Sequence, residues 1–282
     1  MKRILVPVDF SDYSFAAANT AITLAAKAVS EIYFLHIHPV SDTRRVLWSE
    51  PSAKEEEMKH VGQIRASLSV LVRKAEQKGV KARIELALGD AQTWIENYLK
   101  PFDIDLVVMG ARGAGKSRKS VFGSITLQFI RHATVPVLII KKAADEVDVR
   151  RILFASDFEK DLVKPFKTVF ELASAWNAHV DLLYVCTPYH FVSTRQITSS
   201  MKRFMHQFKG VVYTPHVYNA TTEEGGIDEF AKDHNVDMIV MTTEGRTGIL
   251  RLLKPSIAEG LIKRESKPLL IVNIKSKPPA RV

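Results

Sequence analysis

The stretch RILVPVDFSD, Arg3 to Asp12, decides the fold because it returns later in the chain as RILFASDFEK, Arg151 to Lys160, at an offset of 151 − 3 = 148 residues. A second stretch, DIDLVVMGARG from Asp103 to Gly113, returns as NVDMIVMTTEG, ending at Gly245, at an offset of 245 − 113 = 132. Long repeats of this kind indicate duplicated structural units. The sequence therefore predicts two homologous domains in one chain.

The domain boundaries follow from these offsets. We expect the first domain to cover residues 1–143 and the second to cover residues 149–282, with a charged linker near KKAADEVD, Lys141 to Asp148. The offset falls from 148 to 132 between the second and fourth strands of the second copy. Insertions and deletions are tolerated in such connections.

Each copy alternates short apolar segments with amphipathic helical segments. In the first copy the pattern predicts strands at Arg3–Val8, Ile32–Ile37, Ala82–Ala87, Leu106–Met109 and Val137–Ile140. Nearly continuous apolar strands are typical of a parallel sheet that is covered on both faces. Strand–helix alternation indicates an α/β fold, and we predict two tandem doubly wound domains with helices flanking each sheet.

Composition narrows the functional classes. The chain has 282 residues, 46% hydrophobic, a net charge of +9 and one cysteine, Cys186. A single cysteine excludes an intramolecular disulfide and a cysteine-rich zinc site, so we expect a reducing, cytoplasmic location. No apolar run approaches a membrane span, and the first residues indicate a strand and not a signal peptide. The moderate positive charge suits an anionic ligand or nucleic acid, but it is also common in plain basic proteins, and we do not expect nucleic acid as a partner.

The segment GARGAGKS, Gly110 to Ser117, matches the P-loop pattern of nucleoside triphosphatases. A P-loop requires a helix that begins at its Gly-Lys-Ser, because the helix N-terminus binds the phosphates. Here the helical apolar period begins only after Gly123, so we predict an irregular loop up to Phe122 and a helix from Ser124. A P-loop ATPase or kinase stays open as the alternative, and magnesium-dependent turnover abolished by Lys116→Ala would favour it.

The same loop fits a second pattern, G-x2-G-x9-G-S, formed by Gly110, Gly113, Gly123 and Ser124. With ILVPVDFSD, LHIHP after the second strand and VPVLII after the glycine motif, this pattern resembles the universal stress protein family, in a tandem form, over nearly the whole chain. The resemblance implies a five-stranded parallel sheet in each domain and pairing of domains through the last strand. It also implies binding of ATP or AMP, with magnesium as an open addition, by a module that serves in stress responses.

The resemblance and the chemistry of the residues together predict one site. By resemblance, Pro7, Val8 and Asp9 line the base and ribose, and Ile37 forms an apolar wall for adenine. Glycines allow close approach of backbone to phosphate. We expect Ser124 to be the N-cap of the helix, and Gly123 and Ser124 to offer free N–H groups and a hydroxyl to the phosphates. The complete predicted site consists of Pro7, Val8, Asp9, Ile37, Met109, Gly110, Arg112, Gly113, Gly123, Ser124 and Ile125. The alternatives left open are that the glycines only form turns, that Asp9 caps the first helix, and that the basic residues of the loop, Arg112, Lys116, Arg118 and Lys119, form only a solvated surface.

No catalytic residue is predicted, because no Ser-His-Asp or metal constellation is evident. His36 and His38 share one face of a strand, but no third metal ligand accompanies them. We therefore expect a nucleotide-binding module and not an enzyme, with slow ATP hydrolysis left open. The expected partners are an adenine nucleotide and the other domain of the same chain, with a homodimer left open and no membrane contact.

The second copy keeps the strands but loses most of the glycine motif. At the offset of 132, Gly110, Arg112 and Gly123 are replaced by Thr242, Glu244 and Pro255, whereas Gly113 and Ser124 are matched by Gly245 and Ser256. A carboxylate repels phosphate, and proline has no backbone N–H to donate. We expect the nucleotide to bind in the N-terminal domain alone, with a changed ligand preference in the second domain as the alternative.

Overall fold

A computed structural model of the chain describes residues 1–38, 51–89, 94, 99, 101–112, 123–132, 134–141, 147–158, 162–188, 192–243 and 267–273. Its strands are β1 (Arg3–Pro7), β2 (Glu31–His38), β3 (Ala82–Leu88), β4 (Leu106–Gly110), β5 (Val137–Ile140), β6 (Arg151–Ala155), β7 (His179–Cys186), β8 (Tyr213–Asn219), β9 (Met238–Thr243) and β10 (Leu269–Asn273). Its helices are α1 (Asp12–Ala28), α2 (Pro51–Gln77), α3 (Ser124–His132), α4 (Val163–Trp176), α5 (Thr194–Met205) and α6 (Glu223–Asp233). The five strands predicted for the first copy are confirmed, with ends that differ by one residue at most.

The ten described strands form one sheet in the order β3-β2-β1-β4-β5-β10-β9-β6-β7-β8. Each half repeats the same doubly wound order, and every pair within a half is parallel. The halves meet where β5 pairs with β10 in antiparallel register, with Ile139 opposite Leu269 and Leu138 opposite Leu270. The predicted fold class is therefore confirmed, and the two five-stranded sheets join through their last strands into one.

The unusual backbone conformations also recur at matching positions of the two halves. The non-glycine residues of the described chain with positive φ form three pairs at the repeat offsets: Phe10 and Phe158 (63° and 57°), Val29 and Asn177 (52° and 53°), and Asp103 and Asn235 (47° and 50°). Such residues are uncommon, and they are most unusual where the side chain is bulky or β-branched. Their recurrence shows that both copies keep the same turns despite different side chains.

One carboxylate in each copy ties the first strand to the fourth. Asp105, just before β4, accepts the backbone N–H of Arg3, and Asp237, just before β9, accepts those of Arg150 and Arg151. These bonds satisfy backbone donors at the amino edge of the sheet, where the strand ladder ends.

The core continues from one half into the other on both faces of the sheet. On one face α1 and α4 pack against each other, and the N-terminal amine of Met1 lies 2.9 Å from the carboxylate of Glu171 on α4. On the other face, α3 and α6 contribute the fully buried rings of Phe129 and Phe230 to a second continuous cluster. No helix among the described residues is long and apolar enough to cross a membrane.

The end of α1 carries a residue unsuited to its conformation. Val29 has φ 52° and is 91% exposed, so its β-branched side chain gains little packing that would offset the left-handed backbone. We expect Val29→Asn to raise the free energy of unfolding by about 1 kcal/mol, measured by chemical denaturation. Asn177 occupies the same position in the second copy, so Asn177→Val is the matched reverse change and is expected to lower it. Equal stability of Val29→Asn and the parent protein would contradict the strain.

Candidate functional site

The predicted site lies where the strand order reverses. From β1 the chain winds outward through β2 and β3, then returns to place β4 on the other side of β1. Ligands of doubly wound sheets bind beyond the carboxyl ends of the strands at this switch point. The structure brings Pro7, Val8, Asp9, Ile37, Met109, Gly110, Arg112, Gly123, Ser124 and Ile125 to this edge, and Gly113 lies outside the described residues.

The turn between β1 and α1 is held by hydrogen bonds around Asp9. One carboxylate oxygen of Asp9 accepts from the backbone N–H of Ser11 at 3.1 Å and from its hydroxyl at 2.6 Å. Ser11 is the N-cap of α1, because its hydroxyl accepts the N–H of Ser14. The alternative in which Asp9 caps the helix is therefore wrong, although Asp9 supports the residue that does. Ser11 was missed as a site residue, and its hydroxyl lies 3.4 Å from the carbonyl oxygen of Arg112.

Gly110 is required for the packing of a helix on a strand. A Cβ atom at this position would lie 2.7 Å from the backbone carbonyl carbon of Tyr13, in the first turn of α1. The sequence interpretation, that Gly110 lets backbone approach phosphate, misses this contact because Tyr13 lies far away in the chain. Thr242 stands at the same position of the second copy, and there α4 begins only at Val163.

Gly123 uses its N–H within the protein. The N–H donates to the carbonyl oxygen of Ala111 at 2.9 Å, and the carbonyl of Gly123 accepts the N–H of Leu127 at 3.1 Å. The predicted free N–H on Gly123 is therefore wrong, and Gly123, not Ser124, holds the N-cap position. The predicted start of the helix at Ser124 is confirmed. The backbone N–H groups of Ser124 and Ile125 follow the cap and have no partner within the helix, so they supply the positive end of its dipole.

Thr126 is a second residue that the sequence analysis missed. It is buried, and its hydroxyl donates to the carbonyl oxygen of Gly110 at 3.0 Å, which ties the first turn of α3 to the end of β4. Ala258 has no hydroxyl at the matching position of the second copy. A threonine within an apolar helical period gives little sign of this contact.

The two histidines near the site contact different groups. Nδ1 of His36 lies 2.7 Å from the carbonyl oxygen of Val8, and the ring of His38 packs near that of His60 with centroids 5.1 Å apart. Within the described part of the chain, no group of three or more His, Cys, Asp or Glu side chains could hold a metal ion.

The P-loop alternative has no support from the fold. The helix that follows β4 begins at Ser124, beyond the Gly-Lys-Ser that ends at Ser117. Residues 113–122, which include Lys116, lie outside the described residues.

Comparison with known proteins gives the same family for both halves. Residues 1–141 and 148–273 each match the model of the Universal stress protein family. Universal stress protein MJ0531 of Methanocaldococcus jannaschii is 33% identical over 147 residues, which cover 51% of this chain and 85% of that protein. Universal stress protein YxiE of Bacillus subtilis is 28% identical over 147 residues, which cover 49% and 98%.

One solved structure has the same fold over nearly the whole chain. A universal stress protein from Archaeoglobus fulgidus superposes with a TM-score of 0.76 at 21% identity, covering 96% of this chain and 98% of that one. Another universal stress protein, 18% identical over 51% of this chain with a TM-score of 0.37, has been solved in complex with cAMP.

Proposed function

Because this chain belongs to the universal stress protein family, as a tandem member, we propose that its N-terminal half binds an adenine nucleotide, ATP or AMP, as a stress-response module. One observation carries the proposal: at the switch point the turn between β1 and α1 is joined to the start of the connection between β4 and α3, and the two ends of that connection are joined to each other. The hydroxyl of Ser11 lies 3.4 Å from the carbonyl of Arg112, and the N–H of Gly123 bonds to Ala111 at 2.9 Å. These contacts support a preformed arrangement of the turn after β1, the end of β4 and the start of α3.

Each part of the nucleotide is assigned to a part of this arrangement. We assign the phosphates to the N–H groups of Ser124 and Ile125, with the Arg112 side chain as counter-charge, because an anion is stabilised at a helix N-terminus. We assign the ribose to the carboxylate of Asp9 and the adenine to the apolar surface of Ile37. Gly123 contributes the cap and no phosphate bond. We propose that the nucleotide binds with or without magnesium. No enzymatic activity is proposed.

We propose that the second half does not bind adenine nucleotides. In the sequence of the second half, Glu244 replaces Arg112, so a carboxylate stands in place of the proposed counter-charge of the phosphates. A carboxylate and a phosphate about 4 Å apart would repel by about 4 kcal/mol at an effective dielectric constant of 20. Pro255 stands where the first half has the Gly123 N-cap, and it cannot donate the bond that Gly123 gives to Ala111.

We expect calorimetric titration with ATP to give one site per chain. Gly113→Asp is expected to abolish that site, because it adds a negative charge to the glycine motif that the family resemblance assigns to the phosphates. Gly245→Asp changes the matching glycine of the second half and is expected to leave both affinity and stoichiometry unchanged. Two equivalent sites per chain, or binding that survives Gly113→Asp, would overturn the proposal. Native mass spectrometry of the purified protein would show which nucleotide is retained.

The pairing of β5 with β10 also bears on assembly. These last strands are occupied within the chain, so a homodimer formed by this protein requires another surface, such as the outer strands β3 and β8. We propose that the two halves act as an intramolecular pair in the cytoplasm, where the single thiol of Cys186 stays reduced. Light scattering coupled to size-exclusion chromatography would measure the mass of the assembly.

A further inference from the structure

We propose that His36 is a positioning residue of the nucleotide site, an inference that rests on the proposed function. His36 lies on β2 beside Ile37, and its Nδ1 is 2.7 Å from the carbonyl oxygen of Val8. A carbonyl oxygen only accepts hydrogen bonds, so Nδ1 carries the proton. The N–H of Val8 donates to Leu35 at 2.7 Å. Both peptide groups of Val8 are therefore held by β2.

The histidine also contacts the residue on the other side of Asp9. Phe10 has φ 63°, an unfavourable conformation for an aromatic residue, and its ring centroid lies 5.0 Å from that of His36. His36 thus holds the turn both before and after Asp9. The carboxylate of Asp9, to which we assign the ribose, takes its direction from this turn and from Ser11.

The second half shows whether the turn after its first strand needs a histidine to fold. It keeps the same turn, with Phe158 at φ 57°, but Tyr184 replaces His36. There the N–H of Ser156 donates to the carbonyl oxygen of Leu183 on β7 at 3.0 Å, as Val8 does to Leu35 in the first half. The N–H of Phe158 donates to the hydroxyl of Ser156 at 3.2 Å, and the ring of Phe158 packs against that of Phe204 on α5. The fold therefore forms without a histidine at this position. The histidine contact occurs in the half that keeps the glycine motif.

Two substitutions separate the hydrogen bond from the ring contact. His36→Phe keeps an aromatic ring against Phe10 but removes the N–H donor, and His36→Asn keeps a donor at the position of Nδ1 without the ring. We expect calorimetry to show ATP bound about five- to tenfold more weakly by His36→Phe, as for one lost hydrogen bond, and within about twofold of normal by His36→Asn. Tyr184→Phe is the matched control in the second half and should leave the affinity unchanged. Thermal unfolding of each variant verifies that it is folded.

A double-mutant cycle tests whether His36 acts through Asp9. If it does, the loss of affinity in His36→Phe combined with Asp9→Asn will be smaller than the product of the two single losses, because both changes disturb one turn. Losses that multiply would overturn the coupling.

The remaining outcomes are distinguishable. Absence of ATP binding by the unaltered protein would remove the proposed function and this inference together. Normal binding of ATP by His36→Phe, or equal weakening by His36→Phe and His36→Asn, would remove this inference alone.

Nitrogen-15 NMR of the ligand-free protein gives an independent measurement of the hydrogen bond. We expect His36 to be protonated at Nδ1. A neutral ring protonated at Nε2 would show that His36 does not donate to the carbonyl oxygen of Val8.

Discussion

Replacing Asp181 by alanine is expected to lower the free energy of unfolding by about 3 kcal/mol, the largest single effect we foresee. The Asp181 side chain is completely buried, and its oxygens accept hydrogen bonds from Arg151 at 2.6 and 3.1 Å and from His216 at 2.8 Å. Removing one member of a buried ion pair typically costs 3–5 kcal/mol, and the partial exposure of Arg151 places this case at the low end of that range. Chemical denaturation measures the change.

The Asp181 carboxylate should also make the free energy of unfolding depend on pH. Burial alone raises the pKa of Asp181, but the hydrogen bonds from Arg151 and His216 outweigh burial and hold the pKa below its ordinary value. A carboxylate whose pKa is lower in the folded state contributes stability above its unfolded pKa, about 3.9, and loses it as the pH falls through the folded pKa. The stability difference between the parent protein and Asp181→Ala should therefore be full at neutral pH and shrink below about pH 4.

The first half supplies the control for this network. Tyr33 occupies the position of Asp181, 148 residues earlier, and its hydroxyl donates to Glu31 at 3.2 Å. Tyr33→Phe removes only this one bond, so we expect a loss of about 1 kcal/mol or less. If Asp181→Ala costs no more than Tyr33→Phe, the buried network does not stabilise β6, β7 and β8.

The second large effect is expected for Gly110→Ala, which should lower the free energy of unfolding by about 2 kcal/mol and weaken ATP binding. The new methyl group would meet backbone atoms of Tyr13 at 2.7–2.9 Å, and backbone cannot rotate away as a flexible side chain can. The first turn of α1 must therefore shift, and it carries the cap Ser11 beside Asp9. Hydrogen exchange at the N–H of Phe15, which bonds to the Ser11 carbonyl at 3.0 Å, should accelerate.

Gly62 provides the matched glycine-to-alanine control. It lies on the exposed face of α2, and an added Cβ would meet no atom within 4 Å. Alanine is the better helix former by about 1 kcal/mol, so Gly62→Ala should stabilise the protein slightly and leave ATP binding unchanged. A Gly110→Ala protein that behaves like Gly62→Ala would show that the contact with Tyr13 is not restrictive.

Much of the architecture was determined by the sequence alone. The offsets of 148 and 132 residues identified two copies, and the apolar periods located the five strands of the first copy and the start of α3 at Ser124. These features are local, because hydrophobic spacing and glycine positions act within one element or one turn. The glycine pattern also located the candidate site, since strands of a doubly wound sheet present their carboxyl ends to one edge.

Only the tertiary structure decided what these residues contact. The junction of β5 with β10, the approach of Tyr13 to Gly110 and the bond from Gly123 to Ala111 all depend on how separate segments pack. The network around Asp181 likewise joins β6, β7 and β8, whose residues lie far apart in the chain. The physical reason is the same throughout: steric exclusion and hydrogen bonding act over a few ångströms in space, and a pattern along the chain does not specify which distant groups come that close.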